Sequence, residues 1–373
     1  MIRFFTAGES HGECLIGIME GFPSNVFMDV DFINNELKRR QSGFGRSNRM
    51  NIEQDEVKIL SGVSDNFTTG NPICLLIKNR AKEIDVDRII KPRPGHGDLS
   101  GMLKYNHEDA KNVMERASAR ETAMRVAIGS ICKLLLKEFN IKIYSHVIQI
   151  GNVKALCKSN MEEDLLKQAD SSPLRVLDRK AEAKMIEEIK RAKDEGDTLG
   201  GVFEVIGKNI PVGLGSYASW DRRLDGIIAG AIMSIPGIKG IEFGIGFDAA
   251  KMKGSQVHDE IFYDKGYLRK TNNAGGIEAG ISNGEAIVFR AAMKPIPTLR
   301  KPLKTVNIKT KEEAFAQFVR SDVCAVPSAS IVAENMFAYV LANEMIAKFG
   351  GDSVEEMKTN YNNYTGSLNN NKR

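Results

Sequence analysis

Long apolar runs are missing from this chain. Nothing in it approaches the roughly 18 consecutive apolar residues of a membrane-spanning helix, so no membrane partner is expected. The first residues, Met1 to His11, run straight into polar, turn-forming sequence. They have neither the apolar stretch nor the small-residue cleavage site of a secretory leader. Cysteine is scarce, five in an odd number with no Cys-x-x-Cys pair, which argues against a disulfide framework and against a zinc ribbon. No His/Cys/Asp grouping has ligand spacing, so no metal is expected. The resulting expectation is a cytoplasmic protein with reduced thiols. An excess of one charge is lacking too: 52 basic residues face 48 acidic ones, a net +4. That balance argues against a general nucleic-acid binder and requires any basic surface to be local.

Neither repeats nor a linker divide the 373 residues. With 42% apolar and 27% charged residues, composition is that of a globular protein. One intertwined α+β domain over residues 1–358 is expected. The Asn-, Tyr- and Lys-rich tail, 359–373, is expected to be disordered at least in part. Residues 2–5, 13–20, 51–60, 72–78 and 200–212 read as strands, and 140–160 holds one or two more. Residues 31–40 read as a short helix and 79–105 as loop. A long helix is expected from Asn106 to about 128 or beyond, placing Arg116 and Arg120 on one face and pairing Glu121 with Arg125. Surface helix is expected over 161–195, with further helices over 221–233 and from Ser328 to the Gly350-Gly351 cap.

Two turns stand out. Gly8-Glu9-Ser10-His11-Gly12 and Arg93-Pro94-Gly95-His96-Gly97-Asp98 each grip a histidine between glycines, where backbone amides can approach a ligand closely. His146 lies in an apolar strand and reads as structural, while His107 and His258 read as solvated. Residues 37–49 carry five cations around one phenylalanine. Arg40, Arg46, Arg49, Arg93, Arg116, Arg120 and Arg320 all sit in Gly/Ser-rich or motif-like surroundings. If half converge, the ligand is a small polyanion, since guanidinium suits bidentate recognition of carboxylate and phosphate. Otherwise each is a solvated surface cation worth little. The glycine-rich run 272–284 suggests close backbone approach to a planar or phosphorylated ligand. Asp322, beside Arg320, reads either as an oriented base or as a helix cap. Two Gly-x-Gly-x-x-Ala segments, 213–218 and 244–249, are weak dinucleotide signals outside any convincing βαβ unit.

In order, GESHG (8–12), RRQSGFGR (39–46), RPGHGD (93–98), ERASARETA (115–123), GDTLGG (196–201), WDRRLD (220–225), AGGIEAGISNG (274–284), MKPIPT (293–298) and RSDVCAVP (320–327) resemble chorismate synthase. The resemblance runs from Thr6 to about Asp352. It implies a β-α-β sandwich, with helices between two antiparallel sheets, assembled as a homotetramer. The implied reaction is 1,4-anti elimination of the 3-phosphate and the C6 pro-R hydrogen of 5-enolpyruvylshikimate 3-phosphate. Reduced FMN is required without net redox change. Arg40, Arg46, Arg49, Arg120 and Arg320 match substrate-binding positions. His11 matches the histidine that protonates the departing phosphate, and His96 the one that protonates the reduced flavin near N1. Asp322 matches the aspartate that, with the flavin, takes the C6 proton. FMN positions fall on Arg116, Ala117, Ser118, Pro236, Gly237, Ala279, Lys294, Pro295, Ile296, Pro297, Thr298 and Arg320. Three departures stand out: Gly97 where alanine is usual, Pro236-Gly237 where Gln-Ala is usual, and Ala279 where glycine is typical. Whether NADPH reduces the flavin on this protein or an external flavin reductase does so is left open.

Two other readings compete. An RNA-binding protein would use the 37–49 loop, against which stand the balanced charge and the single interleaved aromatic. A net-redox flavoenzyme would tie NAD(P)H oxidation to a reduced product.

Overall fold

The computed structural model describes residues 1–46, 54–80, 88–156, 162–264, 266–318 and 322–370. Two antiparallel sheets enclose a helical layer. The first sheet pairs Arg3–Ala7, Cys14–Glu20, Ile73–Lys78 and Val57–Ser61 in that spatial order. The second has the order Ile238–Phe243, Ile287–Met293, Gly201–Lys208, Lys142–Ile150 and Val153–Lys154. Between them lie the helices Val30–Gln41, Thr122–Lys137 and Val326–Phe349. Thr122–Lys137 packs on the first sheet and Val326–Phe349 on the second, and the two helices pack on each other. The expected β-α-β sandwich is therefore the observed architecture. No described helix is long and apolar enough to cross a membrane.

The middle layer follows from composition. Val326–Phe349 is apolar on nearly every face and almost wholly buried, as a helix enclosed on all sides must be. Pro327 at its start fixes the first turn, where a missing N–H costs nothing. Gly129 lets the two central helices touch: a β-carbon there would lie 2.3 Å from the Asn335 carbonyl oxygen. Around that contact sits a buried ionic cluster. Glu334, fully buried, accepts from Arg39 (2.9 and 3.1 Å), Lys133 (2.7 Å), Ser145 (2.6 Å) and Arg175 (3.1 Å). Burial alone would favour its neutral form, but Arg39, Lys133 and Arg175 hold the carboxylate well below its usual range. Glu36 accepts from Arg39 at 2.6 Å and from Lys133 at 2.7 Å.

Several expectations are corrected. The segment expected as one long helix is two helices, Lys111–Ala117 and Thr122–Lys137. Ser118 breaks them apart, taking extended backbone and capping a 3₁₀ turn over Ala119–Glu121 through its hydroxyl. Arg116 and Arg120 consequently point in different directions, although the Glu121–Arg125 pair forms (2.8 Å). Part of the expected 79–105 loop is the helix Asp98–Tyr105, whose left-handed cap is Asn106. The helix Val354–Asn370 extends into the tail. Val354, Met357, Tyr361 and Tyr364 form its apolar stripe, and both tyrosines meet the ring of Phe349 edge-on. The glycines of 272–284 approach the chain's own backbone, Gly275 against Gly244 and Gly276 against Ala286. Neither Gly-x-Gly-x-x-Ala segment joins parallel strands.

Gly129→Ala separates propensity from packing. Helix propensity favours alanine by about 1 kcal/mol. The 2.3 Å clash carries a packing cost of about 1–3 kcal/mol or more, which outweighs that gain. The variant should unfold at a lower temperature than wild type. An unchanged or raised midpoint in a thermal melt would refute this account of the helix contact.

Candidate active site

A cavity of about 420 Å³ opens at one end of the helical layer, within the usual range for small-molecule sites. Four of the arginines singled out from sequence line it: Arg40, Arg46, Arg93 and Arg120. On the helix Val30–Gln41, Arg39 turns into the core cluster while its neighbour Arg40 turns to the cavity. Asp55, fully buried, sits between two guanidiniums. Arg40 Nη2 donates to its Oδ2 at 2.7 Å and Arg120 Nη1 to its Oδ1 at 2.5 Å. Burial works against the Asp55 charge, but Arg40 and Arg120 hold its carboxyl below the usual range. Burial, with Arg120 and Arg46 nearby, lowers the Arg40 pKa despite Asp55. Arg40 Nε is buried without a hydrogen-bond partner among the described residues. A wall so charged, with a buried donor unspent, fits an anionic ligand.

The Arg93–Asp98 turn closes on itself. Asp98 accepts from the Arg93 backbone N–H (3.0 Å), Nε (2.8 Å) and Nη2 (2.9 Å). Gly95 is needed there twice: its φ is +76°, and a β-carbon would lie 2.7 Å from that of Pro297. His96 is thereby held with Nε2 3.1 Å from Thr298 Oγ1. Its Nδ1 is buried without a well-formed hydrogen bond, the Pro94 backbone favouring protonation only weakly. Burial, then the Arg93 charge, depress its pKa to about 4, against the opposing pull of Asp98. Imidazole, not imidazolium, therefore occupies this turn at neutral pH.

Facing the arginines is a wall of Pro236, Gly237 and Lys294 through Thr298, with Ala117 and Ser118 beside it. Lys294 N–H donates to the Gly237 carbonyl (2.9 Å), and Thr198 Oγ1 donates to that of Ile296 (2.6 Å). Proline faces, backbone amides, two hydroxyls and one ammonium suit a planar, phosphorylated group such as FMN. Arg46 and Asp322 meet at 2.9 Å inside the same cavity. The backbone makes that meeting possible, since Val323 N–H donates to the Gly45 carbonyl (2.9 Å).

The cavity thus gathers Arg40, Arg46, Arg120, His96, Asp322, Ala117, Ser118, Pro236, Gly237 and Lys294 to Thr298. Three other expected residues lie off its lining. Arg116 Nη2 donates to the Thr6 carbonyl (2.8 Å) and hydroxyl (2.9 Å), and the residue lines a neighbouring cavity that shares Ala117, Ser118 and Pro236. His11 is gripped by Glu115, with backbone N–H to Oε2 at 2.7 Å and Nδ1 to Oε1 at 3.0 Å. Ser118 Oγ, at the cavity edge, contacts Ser10 Oγ at 3.1 Å. Ala279 takes a left-handed φ of 50° between the short strands Ile277–Glu278 and Ile281–Ser282. Arg49 and Arg320 lie outside the described residues. His146, as expected, is structural: buried and bonded to Glu204 (3.1 Å). Sequence reasoning missed Asp55, Asn79 and Glu115. Asp98 was in view as the last residue of the histidine turn, and its position five residues after an arginine was the available signal.

A cluster of arginines, a neutral imidazole and a carboxylate facing a backbone-rich wall defines an enzyme site for a phosphorylated polyanion. The family model for chorismate synthase matches residues 2–346. The chorismate synthase of Alkaliphilus metalliredigens is 55% identical over 98% of this chain and 100% of its own length. That of Caldicellulosiruptor bescii is 56% identical over 95% and 97%. A crystal structure of a chorismate synthase superposes with a TM-score of 0.83 at 44% identity, covering 99% of this chain and 98% of the other. The chain belongs to the chorismate synthase family, lyases of the shikimate pathway that require reduced FMN.

The depressed pKa of His96 has a stability consequence of definite sign. Between pH 6.5 and about 4 the unfolded chain binds a proton at this residue that the folded chain refuses. The penalty is absent above pH 6.5 and grows as pH falls. His96→Gln, which cannot titrate, should therefore lose less stability than wild type between pH 7.5 and 4.5 in urea unfolding. Parallel curves for the two proteins would contradict the burial argument.

Proposed function

We propose that this chain converts 5-enolpyruvylshikimate 3-phosphate to chorismate and phosphate, with no net redox change. The observation that carries the reading is the set of four arginines facing one cavity with His96 and Asp322. The substrate bears a phosphate and two carboxylates, and guanidiniums fixed by Asp55 are poised to bind such groups bidentately. Arg40, Arg46 and Arg120 bind the polyanion, with Arg49 and Arg320 assigned to the same task by the family motifs. His11, oriented by Glu115, delivers a proton to the departing phosphate, making it a less charged leaving group. Asp322, held by Arg46, takes the C6 proton.

FMN fits against Ala117, Ser118, Pro236, Gly237 and Lys294, Pro295, Ile296, Pro297 and Thr298, and the family positions add Arg116, Ala279 and Arg320. When bound, reduced FMN supplies electron density to the breaking C–O bond and recovers it. Burial disfavours imidazolium at His96, and an anionic group placed beside it would offset that cost. Proton uptake at His96 would then accompany binding.

A homotetramer in the cytoplasm is the proposed working form. Phe5 and Ile18, cross-strand partners on the first sheet, are both exposed, as are Ile261, Phe262, Tyr263 and Tyr267 on one hairpin. Such apolar surface supports burial between copies. NADPH as reductant on this protein, and an external flavin reductase, are the two alternative supplies of reduced FMN.

The test is anaerobic. Protein, dithionite-reduced FMN and substrate should yield chorismate and phosphate in equal amounts with the flavin still reduced at the end. Absence of chorismate would overturn the reading. Replacing dithionite with NADPH and oxidised FMN separates the two reductant sources. In the same assay Asp322→Asn should slow turnover at least a hundredfold. Arg46→Ala should weaken substrate binding by more than the roughly 1 kcal/mol of a surface contact. An undiminished rate in the first case, or an unaltered KM in the second, would remove that residue from the site.

A further inference from the structure

The turn that carries His11 and the arginines that line the cavity meet at one buried amide. Asn79 follows the strand Ile73–Lys78 and is nearly inaccessible. Its backbone N–H donates to the Glu13 carbonyl at 3.2 Å. Its Nδ2 donates to the carbonyls of Glu9 and Gly12, both at 2.9 Å. Its Oδ1 accepts from Arg120 Nε, also at 2.9 Å. The partners dictate this orientation. A guanidinium only donates and carbonyls only accept, so the flipped amide would turn all three side-chain contacts repulsive. Beyond Arg120 the bonds continue through Asp55 to Arg40. A continuous path of buried polar groups therefore joins the anion-facing arginines to both sides of His11.

We propose that Asn79 is a positioning residue that sets His11 relative to the phosphate held by the arginines. This rests on the functional reading above. A phosphate drawing on Arg120 also loads Nε–H···Oδ1, and Asn79 passes that constraint to the turn, keeping the acid within reach of the bridging oxygen. Glu115 fixes the imidazole from the helical side, and Asn79 fixes the turn from the sheet side. If Asn79 only closed the end of the sheet, its loss would cost stability and leave the catalytic step alone.

Asn79→Ala and Asn79→Asp, made in the full chain, separate these. The alanine removes both ends of the link. The aspartate keeps an acceptor for Arg120 but sets a carboxylate oxygen against two carbonyls. Both variants should lose at least tenfold in kcat with KM changed less than threefold, because Asp55 still aligns Arg120. Hydrogen exchange at the amides of residues 8–13 should quicken at least tenfold in both. In wild type, inorganic phosphate should slow that exchange, and in Asn79→Ala it should not. Unchanged kcat in folded variants, or exchange in the turn equal to wild type, overturns the proposal. Should Asn79→Ala fail to fold, Asn79→Ser decides by the same readouts. His11→Ala serves as the control. Full turnover in that variant would sink the acid role of His11, whereas its loss with unimpaired Asn79 variants sinks only the link. Wild-type protein that makes no chorismate removes the functional reading, and the exchange measurement still judges the link.

Discussion

The carboxylate of Glu334 is the constraint on which the rest of the molecule depends. It sits without solvent between three helices and a strand, accepting from Arg39, Lys133, Ser145 and Arg175. Buried ion pairs are poor sources of net stability, because desolvation offsets most of their attraction, but removing one partner leaves a stranded charge. What such a cluster does well is define register. Arg39 can reach Glu334 only if the helix Val30–Gln41 has one rotation and one height. That same rotation delivers Arg40, the next residue, to the cavity. On the helix Val326–Phe349, Glu334 lies just beyond the turns whose Ser328, Ala329 and Val332 line the site. The core charge thus positions the functional charge one residue away.

The cavity inherits a cost from this arrangement. Arg40, Arg46 and Arg120 crowd together in a partly dry place, and their mutual repulsion is relieved by Asp55, wedged between Arg40 and Arg120, and by Asp322 against Arg46. Asp55 neutralises too little to fill the site with its own countercharge, and it occupies only part of each guanidinium fork. The rest of the Arg120 fork is held by Asn79 and the Lys78 carbonyl, while Arg40 Nε is left without a partner among the described residues. A polyanion entering there meets donors whose geometry is already fixed and whose desolvation has already been met on folding, which is the physical meaning of preorganisation. Gly129 lets the two central helices, whose first turns line the cavity, approach closely.

Much of this was legible in the residues. The Arg93–Asp98 turn announces itself because proline and glycine leave it little else to be, and the short apolar runs within 13–20 and 72–78 mark buried strands. The architecture and the site residues came from the order of the motifs, not from periodicity. Other features were not legible for definite reasons. Ser118 ends a helix without proline or glycine, through a hydroxyl that finds a better use capping the next turn, so the periodicity runs straight past the break. The stripe at 354, 357, 361 and 364 is diluted by asparagines and reads as polar until Phe349 is brought against it. Asp55 and Asn79 lie in stretches with no motif, and their partners are distant in sequence. Only folding reveals that two guanidiniums and three carbonyls converge on them.

The two histidines show how one side chain is given opposite surroundings. His11 lies against a carboxylate that accepts from its backbone and pairs with its ring. His96 lies near a guanidinium, partly buried, with a threonine hydroxyl at its outer nitrogen. One residue type is thereby placed in two different electrostatic settings. The placement is made by the backbone. Glu115 reaches His11 from the helix that Ser118 ends, and beyond that break Arg120 turns back to Asp55. Arg93 reaches His96 because Asp98 folds the turn over Gly95. Each imidazole is set by a break in regular structure, and each break is enforced by a polar side chain bonding its own neighbourhood. Had residues 106–137 been one helix, as the periodicity suggests, Arg120 could not have met Asp55 and Asn79 while Arg116 held Thr6. The site exists because the helix does not continue.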